Sequence, residues 1–318
     1  MTKENVNTPY DDAFRTLLVK CPMLVIPLIN EAFHEKYESR EKVNVFHNEF
    51  FVGNRHQQER ITDSHIGIGD KRYHAECQSS TDGTIMVRIF EYDAQIAAEN
   101  AQTEKNETTF TFPYSALLYL RCPANTPRSM RVTHKVPNGG ISYEIPILKV
   151  PEYAVDEILK KELYFLIPFH IFAYERQLEK INSNDEKLED LLRVYKRFAK
   201  VLQQKVKEGR LSEYGRQVIR DMTVKVTNSL AARWPNVKRG VEGIMGGAIL
   251  ELEVDKILNR GIDIGKAEGR IEGKAEGRIE GLVEGMIALV RDGLLDLAEG
   301  AKRANMATEE FAQKVNDV

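Results

Sequence analysis

Cysteine, long apolar runs and an excess of either charge are what this chain has little of. Only three cysteines occur in 318 residues (Cys21, Cys77 and Cys122), odd in number and far apart. Neither a disulfide framework nor a Cys-x-x-Cys metal site is therefore expected. The longest apolar run, Leu163–Tyr174, has 12 residues and contains Pro168 and His170. A membrane-spanning helix needs about 20 apolar residues, so no membrane partner is expected. The first residues, Met1–Asp12, are polar and acid-containing, unlike the basic-then-apolar start of a signal peptide. Together these features read as a cytoplasmic protein. Lys and Arg number 45 against 48 Asp and Glu, for a net charge of -3, which excludes a polybasic, histone-like binder. The hydrophobic fraction of 42% excludes wholesale disorder, and the length suits one or two cores at roughly 100–200 residues per domain.

What is present falls into zones. Residues 10–37 read as helical, with breaks at Pro22 and Pro27. Val43–Val52, Ile61–Ile68 and Tyr73–Gln78 read as strands, the last two joined by a turn at Gly69-Asp70-Lys71-Arg72. Ile85, Ile89, Tyr92 and Ile96 form one stripe, which predicts a helix from about Ile85 to Asn100. Strands are expected at Thr108–Phe112, Ala116–Arg121, Met130–Val136 and Ser142–Pro146. Helical periodicity dominates about 151–235, and a glycine-rich junction is expected at about 236–260. The domain division is then 1–150, an α/β core; 151–260, a helical region packing on it; and 261–318, a tail.

The most informative segment is Ile61–Gln78. A hairpin centred between Asp70 and Lys71 places His65 opposite Glu76 and Asp63 opposite Gln78. Alternation puts Ile66, Ile68, Tyr73, Ala75 and Cys77 on a core face. Asp63, His65, Glu76 and Gln78 share the other face, which Gly67 and Gly69 leave open. Opposed side chains lie about 5 Å apart and diagonal ones about 7–8 Å, so Asp63 and Glu76 are within reach of one divalent cation such as Mg²⁺. An exposed sheet face carrying acids with no chemistry is the alternative.

These residues are joined by Asp11-x-x-Phe14-Arg15, by RYHAECQSS (Arg72–Ser80), by RIFEYDAQIA (Arg88–Ala97), by YEIPILKV (Tyr143–Val150) and by ELYFLIPFHIFAYE (Glu162–Glu175). In combination and in this order the chain resembles the PD-(D/E)XK nuclease superfamily, and more narrowly the Rpn family of recombination-promoting nucleases and transposases. The resemblance implies a restriction-endonuclease-like α/β core, a central mixed sheet flanked by helices, followed by an α-helical C-terminal region. It implies a metal-dependent DNA endonuclease acting in recombination or transposition. Asp63 and Glu76 would be the metal ligands, Mg²⁺ or another divalent cation the cofactor, and DNA the partner. Gln78 would stand where the superfamily motif has lysine, which brings hydrogen bonding without charge. That departure keeps open a catalytically weak DNA-binding scaffold as the alternative.

Accessory candidates are Asp11, as a further metal ligand or a helix cap, and Arg88 and Gln95, seven apart on one helix face. Arg88 would contact a phosphate or hold Glu76. His65 is a candidate base or an exposed side chain, Lys71 sits in a turn, and Trp234 reads as packing. Two stretches supply local positive charge for phosphate contacts. Thr108–Tyr143 has no acid but contains Arg121, Arg128, Arg131 and Lys135, while Leu191–Arg210 sets Arg193, Lys196, Arg197 and Lys200 among seven bases against Glu208 alone. The second stretch also reads as a solvated helix face. Finally, glycine recurs every fourth residue from Gly261 to Gly285. Interior glycine costs a helix about 1 kcal/mol each, so this repeat is either a close-packing homo-oligomer helix or a linker. Beyond it, Leu294–Phe311 shows two short helical patterns with Thr308 as a cap.

Overall fold

The computed structural model describes residues 8–46, 49–51, 59–61, 64–79, 83–123, 125–246, 285–304 and 306–316. The chain divides into two units, Met1–Ala248 and Ile249–Val318.

In the first unit, α1 (Pro9–Lys20) starts from a capping box. Thr8 Oγ1 accepts from the Asp11 N–H, and the Asp11 carboxylate accepts from the Thr8 N–H. Pro22 and Pro27 break the helical run as expected, giving a 3₁₀ turn (Pro22–Val25) and α2 (Ile26–Phe33). Among the described residues ten strands follow: β1 (Val43–Val45), β2 (Glu49–Phe51), β3 (Glu59–Ile61), β4 (Ile66–Ile68), β5 (Lys71–Gln78), β6 (Gln102–Glu104), β7 (Glu107–Thr109), β8 (Tyr114–Tyr119), β9 (Ser129–Val136) and β10 (Gly139–Lys149). Helix α3 (Ile85–Glu99) carries the chain from β5 to β8.

Six strands form one mixed sheet in the order β1-β4-β5-β8-β10-β9. The pairs β5–β8 and β8–β10 are parallel and the rest antiparallel. Two expected strands are split. Val43–Val52 yields β1 and β2, and Ile61 pairs in β2–β3 while Ile66–Ile68 belongs to the main sheet. The expected strand at Thr108–Phe112 is reduced to Glu107–Thr109, paired in a small hairpin with β6.

Alternation sorts the sheet into two buried faces. Tyr73, Cys77, Ala116, Leu118 and Leu148 pack with Phe14, Leu17, Ile26 and Phe165 in the main core. The opposite face sets Leu117, Tyr119, Ile145 and Ile147 against Ile85 and Ile89 of α3.

After β10 the chain is helical: a 3₁₀ turn (Val150–Glu152), α4 (Val155–Lys160), a run of 3₁₀ turns (Tyr164–Gln177), α5 (Leu178–Asn182), α6 (Asp185–Lys207), α7 (Glu213–Leu230) and α8 (Pro235–Met245). Helix α7 packs on both the 3₁₀ run and α1. The expected glycine-rich junction is in part helix α8. Pro235 opens it, and Gly240 meets Leu192 so closely that a Cβ would lie 2.8 Å from Cδ2. The apolar run Leu163–Tyr174 is core, with Phe165, Ile167, Phe169 and Ile171 buried. Among the described residues no single helix is long and apolar enough to cross a membrane. Helices Pro9–Lys20 and Pro22–Phe33 are jointly apolar enough, but they are bent by 112° and bury Phe14, Leu17, Ile26 and Ile29 in the core.

His170 is buried within this run against Tyr174 and Phe198, and neither ring nitrogen has a hydrogen-bond partner among the described residues. Burial lowers its pKa to about 4. Between pH 6.5 and about 4 the unfolded chain binds this proton and the folded chain does not, so stability falls as pH falls through that window. The variant His170→Phe is expected to fold at neutral pH with stability within about 1.5 kcal/mol of the parent. It is also expected to lose less stability between pH 6.5 and 4, as read from urea denaturation at both pH values.

The second unit is described over α9 (residues 285–291), α10 (Leu297–Arg303) and α11 (Thr308–Asn316). Ile287, Ala301, Ala304 and Phe311 make a small core of their own. Helix α11 begins at Thr308, one position beyond the expected cap role. The repeat Gly261–Gly281 lies outside the described residues.

Candidate functional site

The hairpin β4–β5 turns on two residues, Gly69 and Asp70, rather than four. Gly69 has φ +57°, the left-handed conformation that a tight hairpin turn demands and glycine supplies. The register is therefore Ile66↔Tyr73, Gly67↔Arg72 and Ile68↔Lys71, two residues tighter than a centre between Asp70 and Lys71 gives. Paired backbone–side-chain hydrogen bonds continue it, with Ser64 Oγ donating to the Ala75 carbonyl and accepting from the Ala75 N–H, each at 2.8 Å. His65 thus comes beside His74, not Glu76. Because both strands slip by one, the face assignment is unchanged.

The polar face is not open, however. At Gly67 a Cβ would lie 2.5 Å from Arg72 Nη1 and 2.9 Å from a Phe46 ring carbon, because Arg72 stacks on Phe46 at 4.4 Å. Helix α3 covers the rest. Glu76 is 3% exposed and Gln78 8%.

Charge on this buried face is held by a chain of hydrogen bonds. His74 Nδ1 lies 2.7 Å from Asp93 Oδ1, and its Nε2 lies 3.1 Å from Glu76 Oε1. Ser115 Oγ donates to the same Asp93 Oδ1 at 2.7 Å, and Arg88 Nη2 reaches Glu76 Oε2 at 3.4 Å. Burial alone lowers the His74 pKa, but the hydrogen bonds and charges of Asp93 and Glu76 outweigh it and raise the pKa to about 9. At neutral pH His74 is an imidazolium donating from both nitrogens. His65 is the opposite case. Burial, with the charges of Arg72 and His74, lowers it to about 4, so it is a neutral ring against Phe46 at 4.5 Å and not an exposed base.

The predicted residues distribute as follows. Glu76, Gln78 and Arg88 come together, and Gln95 is on the same helix with its buried Oε1 unpartnered among the described residues. Asp63 lies outside the described residues. Asp11 is occupied in the α1 cap. Lys71 binds Glu35 at 2.5 Å, and Trp234 precedes α8. In the basic stretch of α6, Arg193 pairs with Asp190, Lys196 with Glu189, and Arg197 with Asp156, while Lys200 is exposed. Arg121 is held by Glu175 at 2.6 Å and by the Ser79 carbonyl at 2.8 Å, leaving Arg128, Arg131 and Lys135 exposed in that stretch.

His74, Asp93 and Ser115 are the residues that motif spacing misses. Their signals are local. His74 is two residues before Glu76, hence on its face, and Asp93 interrupts the apolar stripe Ile89, Tyr92, Ile96, where a carboxylate demands a buried partner. Lys149 adds a cation on the same face. The pairings Gln78↔Tyr119 and Lys149↔Tyr119 place it two strands from Gln78, about 10 Å at the usual strand spacing, with Nζ 3.1 Å from Glu152.

The donor chemistry suits a hard divalent cation: a carboxylate pre-oriented by His74, with an amide oxygen one alternate position along the strand. The Arg88 contact, at 3.4 Å, is at the long limit of a hydrogen bond. Among the described residues no group of three His, Cys, Asp or Glu side chains is arranged to hold a metal, so a complete site needs a further ligand. No family model matches the chain, and neither a curated protein nor a solved structure is significantly similar to it.

Proposed function

We propose that this protein is a metal-dependent DNA endonuclease with a restriction-endonuclease-like core, acting in recombination or transposition. The observation that carries the reading is the buried Glu76 carboxylate, oriented by His74 and Arg88 on a sheet face that also holds Gln78. A carboxylate this enclosed is costly unless it is paired, and perturbed, mutually arranged titratable groups mark functional sites.

In this proposal Glu76 and Asp63 would hold Mg²⁺, which when bound would supply polarisation of the phosphodiester and a water of lowered pKa. Gln78 donates from its amide to a phosphate oxygen or positions the water, without serving as acid or base. His74, fixed by Asp93 and Ser115, keeps the Glu76 carboxylate in one orientation. Arg88 neutralises it and is placed to follow the phosphate.

The test is cleavage of supercoiled plasmid by the purified full chain. Nicking or linearisation that requires Mg²⁺, stops with EDTA and is lost in Asp63→Asn supports the proposal. Metal-independent cleavage, or equal cleavage by Asp63→Asn, contradicts it. Salt-sensitive DNA binding without any cleavage favours the second reading, a non-catalytic DNA-binding scaffold, which rests on Gln78 in place of lysine.

A further inference from the structure

Beside the buried network lies a cluster of rings that the fold leaves partly in solvent. Phe90 on α3 is 41% exposed and Phe112, just before β8, is 38% exposed. Their planes lie within 18° of each other, with centroids 6.5 Å apart. His134 of β9 sits 5.0 Å from Phe90 and 5.6 Å from Phe112, and stacks on Tyr143 of β10 at 5.5 Å and 11°. The Tyr143 hydroxyl and His134 Nε2 are 3.1 Å apart. Strand pairing and this hydrogen bond fix His134 and Tyr143, and helix α3 carries Phe90, so these three rings are presented on ordered elements.

Nothing in the main core requires these phenylalanines at the surface. The cluster is continuous with the candidate site: Tyr143 packs against the Ile85–Ile89 face of α3, and burial, with the Asp93 charge adding to it, raises its pKa to about 12. Asp93 in turn holds His74, and His74 holds Glu76. The segment that carries three of the four rings is basic. The segment Thr108–Tyr143 supplies Phe112, His134 and Tyr143 and contains no acid. Arg128 and Lys135 are exposed along it, and Arg131 is paired with Glu144.

We propose that Phe90, Phe112 and His134 form a stacking platform for unpaired bases of single-stranded DNA, with Arg128 and Lys135 meeting its phosphates. Flat rings bind any base through its π-face, and exposed cations along the edge strand that carries His134 can track the backbone. The charge selects nucleic acid over an apolar protein segment, and the exposed ring faces select unpaired over paired bases. The inference rests on the nucleic-acid reading of the site but not on cleavage.

The test is fluorescence anisotropy in EDTA with the full chain and two labelled strands of equal length and charge, oligothymidylate and an abasic strand. The wild type is expected to bind oligothymidylate at least about tenfold more tightly. Phe90→Leu/Phe112→Leu is expected to lose that preference while binding the abasic strand as before. Leucine keeps the apolar contact without the aromatic face, and an unchanged circular dichroism melt confirms that the variant is folded. Equal affinity of the wild type for both strands, no binding of either, or a preference that survives in the double variant each overturns the proposal. A preserved preference in a protein that cuts no DNA supports the platform and removes only the endonuclease reading.

Discussion

Replacing Asp93 by Ala is expected to cost about 3–5 kcal/mol of folding stability, the usual result of removing one partner of a buried charge pair. Asp93 is fully buried, and its Oδ1 accepts from both His74 and Ser115. Without it the imidazolium faces Glu76 alone and the Ser115 hydroxyl loses its acceptor. Ser115→Ala removes a single hydrogen bond to a charged group and is expected to cost less, about 1.5–3 kcal/mol. The pH dependence gives a second readout. His74 titrates near 6.5 when unfolded and at about 9 when folded. The stabilisation it brings is fully present below pH 6.5 and is lost as pH rises through about 9. In metal-free buffer, urea denaturation of the wild type should therefore show declining stability from pH 6.5 to 9.5. Asp93→Ala should flatten that decline, because the group that raises the pKa most strongly is gone. A parallel decline in both proteins would show that the network is not the source.

The second large effect concerns Glu76. The substitution Glu76→Gln keeps the shape and the hydrogen bond to His74 while removing the charge that a cation needs. Loss of residues that merely orient a metal ligand typically costs about 10–100-fold, so loss of the ligand itself is expected to lower plasmid cleavage by at least about a hundredfold. DNA affinity in EDTA should change little, since the aromatic platform and the exposed Arg128 and Lys135 are untouched. Reduced binding with proportionate loss of cleavage would instead mark Glu76 as a structural residue.

Much of this arrangement was legible in the sequence because it depends on local periodicity. The stripe Ile85, Ile89, Tyr92, Ile96 located α3 to within a residue, Ile85–Glu99. Period-two alternation sorted Tyr73 and Cys77 from Glu76 and Gln78. The hairpin register was not legible, because four turn-like residues, Gly69 to Arg72, do not say which two make the turn; the positive φ of Gly69 decides it. The enclosure of the carboxylate face was missed for a different reason. Polar side chains on a strand look solvent-facing until the helix that covers them is known, and α3 brings Arg88 to Glu76 from 12 residues away and Asp93 to His74 from 19. The basic stretch of α6 is legible in the sequence, but the acids that pair with three of its cations are not. Asp156, Glu189 and Asp190 sit against it.

The central claim, that the Glu76 carboxylate holds a divalent cation, is tested most directly by titrating Mn²⁺ into the metal-free protein and following free Mn²⁺ by electron paramagnetic resonance. The account predicts a saturable Mn²⁺ site in the wild type that Mg²⁺ displaces, weakened at least about tenfold in a folded Glu76→Gln variant. Identical Mn²⁺ binding by the two proteins, or no saturable site in either, would contradict it.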